Sequence, residues 1–442
     1  MLSNLHMKYG EAVLQTYQSD RTYPPYFARL NSKESWFNIS LNCTATNSEF
    51  IYPGMGPIHN PNTVFTGPDF AFTIKDSNFI QVPIRSDILN CWTVLLDWSK
   101  DVHIELGKEE IFRDYKRTVL QRNSTFGKEK LFIDNKTGYP VKLDYYEPHS
   151  LWGQVHVEII YSNWKNVSNS NASMPTTAFR MDDGNTTIYR TIGESELIDS
   201  SPSLFNFPKD YIKQSSSLIG NTGNYLSPQP QLEKISNSTY LLKGKTYNEV
   251  FTKVHDTIYI FDVTLSEVRA KQDSSLISNI FPGKHPVSVV VTDLAWPHVG
   301  GIRYWVSKGA TVISHKASEK FIRSIIKRKW IFQPDELEMH RKPLKFKGVD
   351  DLTYLNKNIL IAPIDGIGSE GALMCYLTKE NFLWASDYIQ NVEDISRSSS
   401  YTYEIIKAVK RIAVDPLLVG AEHIPLTPWT KIISNNKVKE EN

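Results

Sequence analysis

The sequence predicts a two-domain protein of mixed α/β (α+β) class, a mainly antiparallel β domain followed by a domain in which strands alternate with helices. Three observations carry that expectation. Over residues 1–194, short runs such as GQVHVEIIYSNW alternate apolar and polar positions, the period of a strand with one buried face. Residues 195–237 are rich in Ser, Pro, Asn and Gly and sustain no period, which marks a linker. Over 238–442 the pattern mixes apolar strands with segments of helical spacing. At 442 residues the chain also exceeds what one ordinary core organises.

In the first domain, FAFTIKDSNFIQVPI, CWTVLLDW and VHIEL are strand-like runs bounded by Asp, Ser, Asn and Pro. A turn cluster from Asp134 to Gly138 sits between two such runs and predicts a hairpin, and Asp183-Gly184 predicts another. Together these describe an antiparallel meander. In the second domain, TYLLKGKTYNEVFTKVHDTIYIFDV opens with strands. TLSEVRAKQDSSLISNIF spaces Leu265, Val268, Ser275 and Leu276 as a helix that Pro282-Gly283 stops. IRYWVSKGA is a short helix ended by Gly309, and TVISH a strand. ASEKFIRSIIKRKW is a basic amphipathic helix with Phe321, Ile322, Ile325 and Ile326 on one side and a solvated Lys/Arg face on the other.

Charge and cysteine content exclude several classes. Forty-nine basic against 48 acidic residues leave a formal charge of +1, so no global field draws the chain to nucleic acid. Cys43, Cys91 and Cys375 lie far apart and fit buried or free thiols rather than a disulfide or zinc framework. No run approaches the roughly 18 to 20 apolar residues that span a bilayer. The first 20 residues contain Glu11 and Gln15 where an export signal needs an unbroken apolar stretch, so the cytoplasm is the default compartment. A truncated start would restore export. Sequons at Asn38, Asn42, Asn123, Asn135, Asn166, Asn171, Asn185 and Asn237 are what an Asn/Ser/Thr-rich half generates by chance.

The most informative stretch is VVVTDLAWPHVGGIRYWVSKGATVISH, 289 to 315. An apolar strand, Val289 to Val291, runs into Thr292, a short loop, His298 and the pair Gly300-Gly301. This frame resembles the metallo-β-lactamase superfamily signature T-H-x-H-x-D-H-x-G-G, a likeness extending over about 238 to 430 that implies an αββα sandwich. On that pattern Asp293 takes the first His position, Ala295 the second and Pro297 the Asp; only His298 is unchanged. Alanine and proline side chains cannot bind a metal. The first domain, through D-x-x-T-G-x-P-V at Asp134 to Val141 and Y-S-x-W at Tyr161 to Trp164, resembles the β domain that precedes some bacterial members, itself similar to a curved lipoprotein-carrier sheet. Such a sheet is suited to an apolar ligand, although aromatic side chains more often fill a core.

The resemblance implies a two-metal site, and its ligands are only partly present. In APIDGIGSEGALMCYL, Gly368 holds the place of a further histidine. Asp387, at the end of FLWASDY, matches the bridging aspartate, and His423 in VGAEHIPLTPW matches the last histidine. His298, Asp387 and His423 are thus the retained set, a two-His, one-carboxylate arrangement suited to one Zn or Fe ion or left with none. Asp293 is a further oxygen donor and a candidate for assisting chemistry. In the bland alternative the histidines make ordinary hydrogen bonds and Asp387 caps a loop. His315 is expected to be structural. GIGSEG matches a dinucleotide-binding spacing, but the following residues form strand, turn and strand instead of the helix that such a site needs.

The expected function is therefore a divergent, non-hydrolytic member with a binding or interaction role. The alternatives are a mononuclear metal-dependent hydrolase of a small ester or lactam, and an apolar-ligand carrier built on the first domain. Partners are accordingly small-molecule or apolar ligands and not nucleic acid.

Overall fold

A computed structural model of the chain describes residues 4–14, 28–52, 56–67, 70–75, 78–81, 87–199, 202–217, 229–245, 247–366, 370–392 and 399–437. The first domain is one large antiparallel sheet of 14 strands. Strand Asn4–Leu14 joins its two halves by pairing with Ala28–Asn38 on one side and Asn185–Ile198 on the other. The expected hairpins are present. Asp134 Oδ1 accepts from the backbone N–H of Lys136 and Thr137, closing the turn between Gly127–Asp134 and Pro140–His149. Asp183, at φ 49°, and Gly184, at φ 83°, turn Ser173–Asp182 into Asn185–Ile198.

One expected strand is a helix. CWTVLLDW forms Cys91–Ser99, capped by Asn90, whose side chain accepts from Trp92 N. Its apolar residues fall on both periods, and the cap settles the ambiguity. Cys91, Val94 and Trp98 pack on Leu131, Val155, Val157 and Ile159, so the helix lies across one face of the sheet. Of the sequons, Asn38 and Asn42 are buried.

The stretch 195–237 contains more structure than a linker pattern suggests. Strand Asn185–Ile198 runs through its start, Asp210–Ser217 is helical, and Gln231–Lys234 already pairs with Thr239–Lys243 in the second domain's sheet. Propensity in so polar a run is weak, and tertiary pairing decides it.

The second domain packs a seven-stranded sheet on a six-stranded one. In the first sheet, Gln231–Lys234, Thr239–Lys243, Glu249–Val254 and Thr257–Phe261 are antiparallel, while Val287–Val290, Thr311–His315 and Lys345–Val349 continue in parallel. Period-two alternation buries both faces of these strands. Leu241, Val250, Phe261, Val290 and Ile313 face the other sheet, where they meet Ile361, Leu373, Cys375, Phe382 and Trp384. Their neighbours Leu242, Phe251, Ile260, Val289 and Val312 face the helices Glu267–Ile280, Ile302–Ser307 and Glu319–Lys327. The six-stranded sheet alternates likewise, turning Met374, Leu383 and Val419 toward the helices Ser399–Arg411 and Trp429–Lys437. The layers are therefore helix, sheet, sheet, helix. Leu373–Leu377 follows Gly371 directly as a strand, which is incompatible with a dinucleotide-binding helix there.

Two helices show what patterning fixes and what it misses. Glu319–Lys327 buries Phe321, Ile322, Ile325 and Ile326 as expected. Glu267–Ile280, capped by Ser266, instead buries Arg269, Ala270, Asp273 and Ile277. Arg269 and Asp273 are fully enclosed and paired at 2.9 Å, a polar contact on a face expected to be apolar. The three cysteines are free and buried.

The two domains share a core. The turn after Pro140–His149 places Leu151, fully buried, in the same apolar cluster as Leu242, Phe251, Val289 and Val299. Arg328, expected on a solvated face, donates from Nε to Trp152 O at 3.0 Å and from Nη2 to Gln154 O at 2.7 Å, and pairs with Asp183 at 2.8 Å. Gly153 sits at φ 70° against Trp330, where an added Cβ would come within 2.3 Å of the indole. No helix among the described residues is long and apolar enough to cross a membrane.

Candidate metal centre

The site lies where strand ends of the two sheets meet. Strand Val287–Val290 delivers Val291 and Thr292 to the interior, and the chain then turns through Asp293, Leu294 and Ala295 into a short helix, Trp296–Val299. Gly300 and Gly301 are required by contact: an added Cβ on Gly300 would meet Leu265 O at 2.2 Å, and one on Gly301 would meet Ala270 Cβ at 2.9 Å. The Gly pair thus seats the loop on the 263–266 segment, whose Val263 and Leu265 N–H groups donate to His298 O and Pro297 O.

His298, Asp387 and His423 converge, together with Glu422. One donor atom from each of the four lies within 4.8 Å of every other. His298 Nε2 is 2.7 Å from Glu422 Oε2, and His423 Nε2 is 3.0 Å from Asp387 Oδ1. Asp387 also accepts from Gln390 Nε2. Asp293 stands one step back: its Oδ1 accepts from Ala295 N at 2.7 Å and lies 2.9 Å from His298 Nδ1, so it orients the imidazole. Ala295 and Pro297 offer no donor, and position 368 lies outside the described residues. His315 caps a short turn, its Nδ1 accepting from Ala317 N at 3.2 Å.

Behind the site, Asp262 Oδ1 accepts from Thr292 N at 2.7 Å and Oδ2 from Trp384 Nε1 at 2.8 Å. Thr292 Oγ1 lies 2.8 Å from Ser386 Oγ, tying the two strand ends together. Burial pushes the Asp262 carboxyl up to about 6 despite these bonds. Burial alone would depress His298, but Glu422, Asp387 and Asp293 override it and hold the imidazole well above its ordinary value. Burial likewise holds Glu422 well above the usual carboxylate range, partly offset by His298. Tyr247 roofs the cluster, its ring centroid 5.7 Å from that of His298 and 4.8 Å from that of His423.

Sheet order, the two outer helix layers and strand ends that bring His298, Asp387 and His423 to one rim coincide in a single arrangement. The carboxyl-terminal half has the metallo-β-lactamase fold. Solved structures to which the chain is similar are metallo-β-lactamases at low identity. One from Pontibacter korlensis is 13% identical, with 48% of this chain and 100% of that chain covered at a TM-score of 0.37. FIM-1 from Pseudomonas aeruginosa, in its mono-zinc form, is 11% identical, covering 48% and 97% at 0.38. DIM-1 is 13% identical, covering 49% and 99% at 0.37. No protein-family model matches the sequence, and no curated protein matches it.

Sequence reasoning missed Glu422. Its signal was present, a carboxylate beside a candidate histidine. Adjacent strand residues point to opposite faces, but Glu422 and His423 form the turn between Leu418–Ala421 and Ile424–Pro428, and there both can face one point.

Proposed function

We propose that this protein is a divergent metallo-β-lactamase-fold protein with a binding or interaction role, in which one divalent ion, Zn or Fe, is held by His298, Asp387 and His423, without two-metal hydrolysis. The observation that carries this reading is the asymmetry of the rim. Donors for one ion converge within 4.8 Å, whereas of the positions that would hold a second, two are Ala295 and Gly368 and the third is an Asp293 already engaged with His298. The donor set fits: two imidazoles and a carboxylate suit Zn or Fe(II). Such an ion supplies Lewis acidity and positive charge. The chain's own residues do the rest. Asp293 fixes the His298 ring so that Nε2 faces the centre, Gln390 holds Asp387, and Asp262 with Thr292 and Ser386 locks the two strand ends.

Elemental analysis of full-length protein purified without chelators, with hydrolysis assays on chromogenic β-lactam and ester substrates, tests this. The expected result is one divalent ion per chain and no turnover. Two tightly held ions would defeat it. Turnover that disappears in His298→Ala would replace it with a mononuclear hydrolase.

A further inference from the structure

We infer that Glu422 is a fourth protein ligand of this ion and that it closes the coordination sphere, making the ion structural. The inference rests on the single-ion reading above and concerns what completes that site. Glu422 is fully buried, and neither carboxylate oxygen accepts a hydrogen bond among the described residues. An interior carboxylate in that condition is costly, and natural proteins satisfy such groups with donors or metals. Its nearest charge is His298, whose Nε2 lies 2.7 Å from Oε2. An imidazole nitrogen and a carboxylate oxygen brought this close, with donors of Asp387 and His423 beside them, are placed to share a third atom.

The backbone holds Glu422 there. Its N–H donates to Ser386 O at 3.1 Å, beside Asp387, and its carbonyl accepts from Asn248 N at 2.8 Å. Asn248 Nδ2 bonds Ala421 O at 3.2 Å and Ile424 O at 2.8 Å, clamping both sides of the turn. The Glu422 backbone is thus fixed from the strand end that bears Asp387 and from the loop that bears Tyr247.

Four donors about 2.1 Å from a tetrahedral ion lie about 3.4 Å apart. The observed approaches, from 2.7 Å up to the 4.8 Å limit, bracket that spacing. Two neutral imidazoles and two carboxylates also cancel a dication's charge, which suits a buried site. A catalytic zinc keeps one position open for water, and structural sites fill all four with protein. Glu422 therefore takes the place that a reacting water needs.

Cobalt(II) titration of the full-length protein, read by visible absorption, tests the assignment. Wild type should show the intense bands of a four-coordinate ion. Glu422→Gln should weaken binding beyond the 10- to 100-fold typical of losing an outer partner and shift the bands toward higher coordination as water enters. The metal-free melt controls for folding. If Glu422 waits for an ion, Glu422→Gln without metal is at least as stable as wild type; if it serves only as a partner of His298, the variant melts lower. A loaded wild type with Glu422→Gln unchanged in affinity and spectrum overturns the inference and leaves the single-ion reading standing. A wild type that takes up no cobalt defeats both.

Discussion

Replacing Leu151 by Ala should destabilise the second domain, although Leu151 belongs to a hairpin of the first. The side chain is 0% exposed and belongs to the apolar cluster that holds Leu242, Phe251, Val289 and Val299. Truncating an enclosed leucine removes its transfer energy and leaves a cavity, together about 2 to 5 kcal/mol. The other buried members of its cluster all belong to the second domain, whose packed layers limit collapse, so we expect about 3 kcal/mol. For a domain of this size, each kcal/mol moves the midpoint by about 2 to 4 °C, giving a drop of roughly 6 to 12 °C. Differential scanning calorimetry of full-length protein reads it, with Leu417→Ala as control because Leu417 is 63% exposed and should cost under about 0.5 kcal/mol. Hydrogen exchange then locates the effect. A loss below about 1 kcal/mol, or loosening confined to 140–166 with strands 287–290 and 311–315 unchanged, would refute the shared core.

Further outcomes follow from the same contacts. Gly300→Ala drives a methyl into Leu265 O and should cost about 1 to 3 kcal/mol while abolishing cation uptake; normal uptake would show that the loop's seat is not what orders His298. Burial would raise Glu11, but Arg190 and Lys33 override it and hold the carboxyl down at about 2. A depressed acid stabilises the fold above its ordinary pKa, so stability from this group is complete above about 4.5 and is lost as pH falls toward about 2. Glu11→Gln should flatten that segment of the acid-unfolding curve, and an unchanged curve would remove Glu11 from its cause. A chelator should lower the melting midpoint, with a free ion at a hundred times its dissociation constant adding about 2.7 kcal/mol; identical melts with and without chelator would contradict a structural ion.

The sequence revealed the scaffold better than its site. The strand Val289 to Val291, the Gly300-Gly301 pair and the Phe321, Ile322, Ile325, Ile326 stripe were legible because backbone packing and burial dictate them, and chemistry can drift around them. Cys91–Ser99 was not, since an apolar run of that length suits strand or helix until Asn90 caps it. The buried face of Glu267–Ile280 was hidden because Arg269 and Asp273 look like surface residues and enter the core only as a pair. At the site, His298, Asp387 and His423 stood out by their place in a familiar frame. Glu422 did not, because its place beside them depends on a two-residue turn that lets neighbours converge. Asp293 shows the converse: a position read as a ligand or catalytic candidate lies behind His298, as its hydrogen-bond partner.

The most direct measurement is anomalous diffraction at the zinc or iron edge from crystals of chelator-free protein. A single peak enclosed by His298, Asp387, Glu422 and His423, with no second peak beside Asp293, is the predicted result. Paired peaks at the rim, or none with the four side chains bonded to one another, would contradict it.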